Sequence, residues 1–189
     1  WLQDDVFSGN RILELCPESG FEVVVLDPPW ESKSRGVRYK CCQSQQLLQL
    51  PMEKLLASEA MVAVWVTNDP KKQAFVLDEL FPAWSLRFSG CWTWIKVTNE
   101  GEPLLPFGER PRLPFEKVLV GRKSAAESED PKDQVFAAVP GHHSQKPFLD
   151  ELLPKSQSKL EIFARNLRPH WTSWGNEVLL FQHSSLFEA

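Results

Sequence analysis

Asp27-Pro28-Pro29-Trp30 is the part of the sequence best suited to chemistry. Asp27 supplies a carboxylate. Pro28 and Pro29 fix the backbone and carry no N–H, so at these two residues the main chain can only accept hydrogen bonds. Trp30 adds a flat apolar plate. Acceptors beside a plate suit an amino group on a planar heterocycle, such as the exocyclic amine of adenine. The tetrapeptide follows Phe21 to Leu26 (FEVVVL), a β-branched apolar run that reads as a strand buried on both faces. It therefore lies at the carboxyl end of a strand, where open α/β sheets bind ligands. The plainer alternative is a strand-ending turn with Trp30 as a core lid; the strand before it and the Trp after it favour chemistry.

The elements that must position this tetrapeptide follow from the hydrophobic pattern. Ala60 to Thr67 (AMVAVWVT) is a second buried strand, and Gln45 to Leu56 between the two reads as helical with an interruption at Pro51. Asn68 or Asp69 can cap a helix whose first turn holds Pro70, with Ala74, Leu77, Leu80 and Phe81 as its buried stripe. Lys71 and Lys72 read as its exposed start. Leu86 to Val97 and Phe115–Arg122 form a hairpin-like pair across a Pro-rich link. Trp92 and Trp94 share one face of the first strand of that pair as core or contact residues. Val135 to Val139, Leu160 to Phe163 and Val178 to Phe181 complete about seven strands, with a short helix from Phe148 to Leu153. Residues 123–134 (KSAAESEDPKDQ) read as a mobile surface loop. Strand–helix alternation predicts a single three-layer α/β domain over 1–189 with a mostly parallel sheet.

Composition narrows the function. The 189 residues hold 21 basic and 25 acidic side chains, a net charge of −4, so nucleic-acid contact must come from a local patch or from segments outside this sequence. Such a patch follows the tetrapeptide: Lys33, Arg35, Arg38 and Lys40 around Gly36 could grip phosphates beside Trp30. No apolar run approaches the roughly 18 residues of a membrane span. Cys16, Cys41, Cys42 and Cys91 have neither zinc nor disulfide spacing, which points to a reducing compartment. His142-His143 lacks a third ligand at a sensible spacing, so no metal is expected. His170 reads as a turn residue, and Ser173 lacks a nucleophile setting. A start at Trp1 suggests the C-terminal catalytic part of a longer protein.

The stretch FEVVVLDPPWESKS, together with KLEIFARNLRPHWTSWGNEVLLFQH near the C-terminus, resembles the eukaryotic adenine-N6 methyltransferases, the family of the messenger-RNA adenosine methyltransferase. Within that family the sequence is nearest to the methyltransferase-like protein 4 branch, through Phe163-Ala-Arg-Asn, Trp171-Thr-Ser-Trp-Gly-Asn-Glu and Trp65-Val-Thr-Asn. The resemblance implies a Rossmann-like methyltransferase fold and methyl transfer from S-adenosylmethionine to N6 of adenine. It implies RNA as substrate, with 2'-O-methyladenosine in small nuclear RNA as the branch's association and DNA as the other candidate. It also implies a nuclear location, with the cytosol as the second choice. A monomer is expected.

Under this resemblance Asp27 and the Pro28 carbonyl accept the amine hydrogens, Pro29 fixes the turn, and Trp30 stacks on the base. A base inside a duplex must be flipped out first, which favours single-stranded substrates. Lys146 precedes Pro147, a good first helical residue, and a lysine at a helix N-terminus asks for a compensating anion. The resemblance makes that anion the methionine carboxylate of the cofactor. It also implies cofactor contacts by Asp5, Val6, Asp27, Phe163, Arg165, Asn166, Asn176 and Glu177. Glu177 could accept from both ribose hydroxyls. Ala164 stands where many methyltransferases carry glycine, and the chain has no G-x-G-x-x-G. Two rivals remain at this point. One is a catalytically inactive subunit that binds RNA or scaffolds a partner, against which Asp27, Trp30, Lys146 and Asn176 all stand. The other is an enzyme acting on a different planar amine, such as cytosine N4.

Overall fold

The structure is a computed structural model that describes residues 1–7, 11–31, 42–108, 113–123, 133–142 and 144–182. Eight strands form one sheet: β1 (Leu2–Gln3), β2 (Phe21–Leu26), β3 (Leu56–Val66), β4 (Arg87–Lys96), β5 (Phe115–Arg122), β6 (Gln134–Ala138), β7 (Lys159–Ile162) and β8 (Thr172–Gly175). Their order is β1-β8-β7-β2-β3-β5-β4-β6. Only β5 runs against its neighbours, pairing antiparallel with β3 and β4 while the other pairs are parallel. From β2 the chain moves outward to β3 and beyond, then returns to the other side of β2 through β7. The strand order therefore reverses between β2 and β7, and a crevice opens there at the carboxyl edge. Because β5 is reversed, its first residues reach that same edge, with Glu116 opposite Trp94.

Both faces of the sheet are covered. On one, Val24, Leu26, Val62 and Val64 pack against Ile12, Leu47, Met52, Leu55, Val76 and Leu80. These come from 3-10 turns Arg11–Leu15 and Ser44–Gln49, from α1 (Met52–Leu55), and from the helical stretch 70–83. That stretch is α2 (Pro70–Phe75), a π turn (Val76–Leu80) and α3 (Phe81–Ala83). Asp69 caps it by accepting from the Lys71 N–H at 2.9 Å, with Pro70 in the first turn. The π turn shifts the buried stripe: Phe75, Val76, Leu80 and Phe81 are buried, while Leu77 is only half-buried and Ala74 is exposed. On the other face Val23, Val25, Trp65, Trp92, Trp94 and Val118 pack against Leu149 and Leu153. Trp92 and Trp94 are thus core residues.

The α/β class and the mostly parallel sheet are as expected, with eight strands where about seven were counted. Three local expectations change. Phe148 to Leu153 is a pair of turns, with only the Leu152 and Leu153 N–H groups returning to the Leu149 carbonyl before Pro154 ends the possibility of a helix. The last strand is Thr172–Gly175, whereas Val178 to Phe181 turns into a 3-10 segment, Leu180–Gln182. There the Phe181 N–H bonds the Arg165 carbonyl at 2.8 Å, folding this apolar run back over the crevice. The third change is β1, which adds an edge strand beside β8. Of the loop 123–134, residues 124–132 lie outside the described residues.

One glycine is required by space. Gly20 enters β2 at φ +80°, and a Cβ there would sit 2.5 Å from the Ala57 nitrogen and 2.7 Å from the Leu56 carbonyl carbon. Gly20→Ala is expected to cost about 2–3 kcal/mol, from left-handed strain plus backbone overlap. In a chain this size that is roughly 5–10 °C of melting temperature. Gly20 lies at the amino edge, away from the crevice, so thermal melts should fall while cofactor affinity measured in the cold stays unchanged.

Candidate active site

Asp27 is the first residue past β2, and its backbone N–H reaches back to the Ile162 carbonyl on β7 at 3.4 Å. Beyond it, the Pro28 carbonyl accepts from the Trp30 N–H at 2.8 Å and the Pro29 carbonyl from the Cys42 N–H at 3.0 Å. Each prolyl oxygen keeps one lone pair for a ligand. The Trp30 indole N–H donates to the Trp65 carbonyl at 2.8 Å, which fixes the ring against the end of β3. The tetrapeptide is therefore held rigidly and still presents acceptors and a half-buried plate.

The crevice is a cleft lined among others by Asp27, Lys146, Glu161, Phe163, Arg165 and Arg168. Its charges form a chain. Lys146 Nζ lies 3.6 Å from Asp27 Oδ1 and 2.7 Å from Glu116 Oε2, and Glu116 Oε1 is bridged to Lys96. On the other side Arg165 Nη1 lies 3.5 Å from Asp27 Oδ2, while its Nε is 3.6 Å from Glu177 Oε2. Arg165 also donates to the Ser144 carbonyl at 3.2 Å. Three cations thus alternate with three carboxylates, and Asp27 stands at the centre with one cation on each oxygen.

Burial pushes the Asp27 carboxyl above the ordinary carboxylate range, with Lys146 and Arg165 pulling against it. For Lys146 burial alone would lower the ammonium, but Asp27 and Glu116 outweigh it and hold the group above the ordinary lysine value. Burial likewise opposes ionisation of Glu116, yet Lys146 and Lys96 keep it below the usual range. A second acid, Glu161 on β7 with its Oε2 buried, is pushed up to about 7, chiefly by burial, with Asp27 and Asp150 adding to the rise. Its partner Arg168, 3.5 Å away, lies between the Phe148 ring (4.4 Å) and the Trp171 ring (4.0 Å).

The loop after β7 carries strain. Phe163 sits at φ 62°, a left-handed conformation costly for a bulky residue. This turn brings Arg165 back onto Asp27 and lets the Ala164 N–H bond the Trp174 carbonyl at 3.0 Å. The left-handed residue is Phe163 and not Ala164, so position 164 has no need of glycine. The close partner is instead Gly175, where a Cβ would lie 3.0 Å from the Ala164 backbone.

The predicted residues are distributed as follows. Asp27, Lys146, Phe163, Arg165 and Asn166 line the cleft together. Glu177 reaches it through Arg165. Asn176 is exposed at the end of β8. Asp5 and Val6 follow β1 next to Gly175, whose carbonyl accepts from Asp4 N–H at 3.0 Å. Asp5 caps the Phe7 N–H at 3.1 Å, and the Phe7 ring meets Phe163 at 5.8 Å, while Val6 is buried in the core. Lys146 lines the cleft, but no helix begins at Pro147, and its charge answers Asp27 and Glu116 instead of a helix dipole. Lys33, Arg35, Arg38 and Lys40 lie outside the described residues.

Glu116, Lys96 and Glu161 were missed by sequence reasoning. The one available signal was the hairpin-like pairing, which places the start of Phe115–Arg122 beside the end of the preceding strand. His142 is exposed and stacks on Phe181, and among the described residues no three His, Cys, Asp or Glu side chains are arranged to hold a metal. No helix among the described residues is long and apolar enough to cross a membrane.

The MT-A70 family model matches residues 21–177. The mouse protein named N(6)-adenine-specific methyltransferase METTL4 is 41% identical over 188 residues, covering 89% of this chain and 40% of that protein. The N6-methyladenosine RNA methyltransferase MTA1 of Pyricularia oryzae is 36% identical, over 93% of this chain and 52% of its own length. The DNA N6-methyl methyltransferase of Caenorhabditis elegans is 32% identical, over 88% and 48%. The chain thus spans about half or less of each of these relatives. With the family's match running from β2 through Glu177 and enclosing the charged cleft, the chain belongs to the MT-A70 family.

Proposed function

We propose that this chain transfers a methyl group from S-adenosylmethionine to N6 of adenine in nucleic acid, with RNA the substrate and DNA the alternative that the test must separate. The observation that carries this reading is Asp27, half-buried at the sheet's switch point between Lys146 and Arg165 and followed by the pinned Pro28-Pro29-Trp30 turn. Following the resemblance to the METTL4 branch, the favoured target is 2'-O-methyladenosine of small nuclear RNA, and the favoured location is the nucleus.

The donor set fits S-adenosylmethionine. The carboxylate of its methionine end needs positive charge, and Lys146 and Arg165 offer it in one cleft. Glu177 suits a ribose diol, and Phe163 offers an apolar wall. When bound, the cofactor supplies an electrophilic methyl group on a sulfonium.

The chain does the rest. An aryl amine is a poor nucleophile because its lone pair is delocalised into the ring. Asp27 and the spare lone pair of the Pro28 carbonyl accept its two hydrogens, which favours a pyramidal nitrogen and stabilises the positive charge that grows as the N–C bond forms. Asp27 is placed to receive the proton that the amine must then lose. Trp30 holds the base by stacking, so that alignment, more than acid–base power, sets the rate.

Two outcomes follow. Asp27 works only when ionised, and its carboxyl is pushed up by burial, so kcat/KM should fall on the acid side at a pH above aspartate's ordinary value of about 4. Lys146→Met removes a cation that opposes this rise, and the acid limb should move to still higher pH. The reading itself is tested by nucleoside mass spectrometry after incubation with labelled cofactor. The oligonucleotides carry adenosine, 2'-O-methyladenosine or deoxyadenosine at one unpaired site. Label on N6 supports the proposal and identifies the sugar. No label and no cofactor binding would replace it with an inactive binding subunit.

A further inference from the structure

Lys72 reads from sequence as an exposed helix start, yet the structure turns it inward. It is half-buried, its Nζ donates to Ser44 Oγ at 3.0 Å, and the same nitrogen lies 5.7 Å from the centre of the Trp30 ring. Ser44 is itself buried, at 9% exposure, where the 3-10 turn Ser44–Gln49 begins. Lys72 therefore links the Ser44 turn to the Trp30 indole. The cations of the neighbouring cleft, Lys96, Lys146 and Arg165, are each paired with a carboxylate. Among the described residues none is in ion-pair reach of Lys72, whose partners there are a hydroxyl and a ring. A half-buried ammonium without a counter-charge has lost water and gained no anion in return.

We propose that Lys72 and Ser44 form a phosphate site that grips the backbone of the single strand delivering its base to Trp30. This deepens the methyl-transfer reading and rests on it. An ammonium has three N–H donors and Ser44 takes one, leaving two for phosphate oxygens. The Ser44 hydroxyl accepts from Lys72, so its own hydrogen is free to donate. A base stacked on Trp30 carries its phosphate one sugar away, and a cation 5.7 Å from the ring centre stands within that reach. Stacking plate plus backbone cation is the pairing by which single strands are held without sequence readout. Lysine suits the task as a point charge on a flexible stem.

The test compares wild type with Lys72→Met, which keeps the stem and removes the charge, and with Lys72→Arg. Methylation of a single-stranded adenine oligonucleotide is measured from about 0.05 to 0.2 M salt. The site predicts a KM raised about 10-fold in Lys72→Met at the lowest salt, with kcat within two-fold. It also predicts a log–log salt dependence shallower by about 0.7, the share of one phosphate contact on a single strand. Lys72→Arg should restore most of the KM and the slope. A fall in kcat with KM and salt slope unchanged overturns the proposal and leaves Lys72 as a prop for Trp30. If wild type methylates no oligonucleotide, the methyl-transfer reading fails separately. Fluorescence anisotropy of a labelled oligonucleotide then decides the phosphate site: weaker, less salt-sensitive binding by Lys72→Met supports it, and equal affinity and slope overturn it.

Discussion

Asp27→Asn should reduce the proposed methyl transfer by about 10³-fold, the scale seen when a preorganised electrostatic partner of a transition state is removed. The substitution keeps one oxygen and the shape of the side chain. It removes the full negative charge that stabilises the amine as its nitrogen becomes cationic, and it removes the acceptor for the departing proton. Asp27→Ala should be at least as severe. Cofactor affinity, measured by calorimetry on the same preparations, should stay within a few-fold. Lys146 retains Glu116 at 2.7 Å, and Arg165 retains Glu177 and the Ser144 carbonyl, so both cations keep their places when Asp27 is neutralised. A loss of cofactor binding as large as the loss of turnover would assign Asp27 to the methionine ammonium and away from the adenine amine. The folded state should survive for the same reason: no buried cation is left without a partner, which is the circumstance that makes such deletions costly.

The Asp27–Trp30 half of the cleft was legible from sequence because it is local. FEVVVL announces a doubly buried strand, and Asp-Pro-Pro-Trp must then fall at its carboxyl end, which is where the structure puts it. Lys146, Phe163 and Arg165 carry no such signal. They came from the family resemblance, and the physical reason given for Lys146, a helix starting at Pro147, fails because Pro154 and a single turn of hydrogen bonds leave no helix there. Glu116 was invisible for a topological reason. It reaches the cleft only because β5 is inserted antiparallel between β3 and β4, a pairing decided by contacts far apart in sequence. The exchange of strands near the C-terminus has a similar origin. Thr172–Gly175 looks polar but holds the fully buried Trp174 between β7 and β1, whereas the apolar 178–181 finds no strand partner and folds over the Arg165 loop. Short apolar runs do not distinguish strand from buried turn by periodicity alone.

Glu161→Gln should stabilise the protein at alkaline pH and leave it nearly unchanged near pH 5. In the folded chain the Glu161 carboxyl is pushed up to about 7 from an ordinary 4.5. Between those values the folded state holds a proton that the unfolded state has released, so lowering the pH through this window adds stability and raising it takes stability away. Above about pH 7 the ionised, buried carboxylate carries its full penalty, on the order of 3 kcal/mol for a shift of this size. Against this stands the lost attraction to Arg168, whose Nη1 is 3.5 Å away without a hydrogen bond to the buried Oε2. Arg168 keeps Asp150 as its bonded counter-charge and remains stacked between Phe148 and Trp171, so neutralising Glu161 does not strand it. Desolvation therefore outweighs the ion pair, and thermal melts at pH 8 should rise by about 5 °C or more in Glu161→Gln. A variant that melts lower than wild type at pH 8, with the gap closing toward pH 5, would show that the attraction between Glu161 and Arg168 outweighs the cost of burying the carboxylate. The sign also bears on the cleft. A Glu161 that stays protonated below about pH 7 spares Asp27 a second negative neighbour there, and so helps keep ionised the carboxylate on which the proposed chemistry depends.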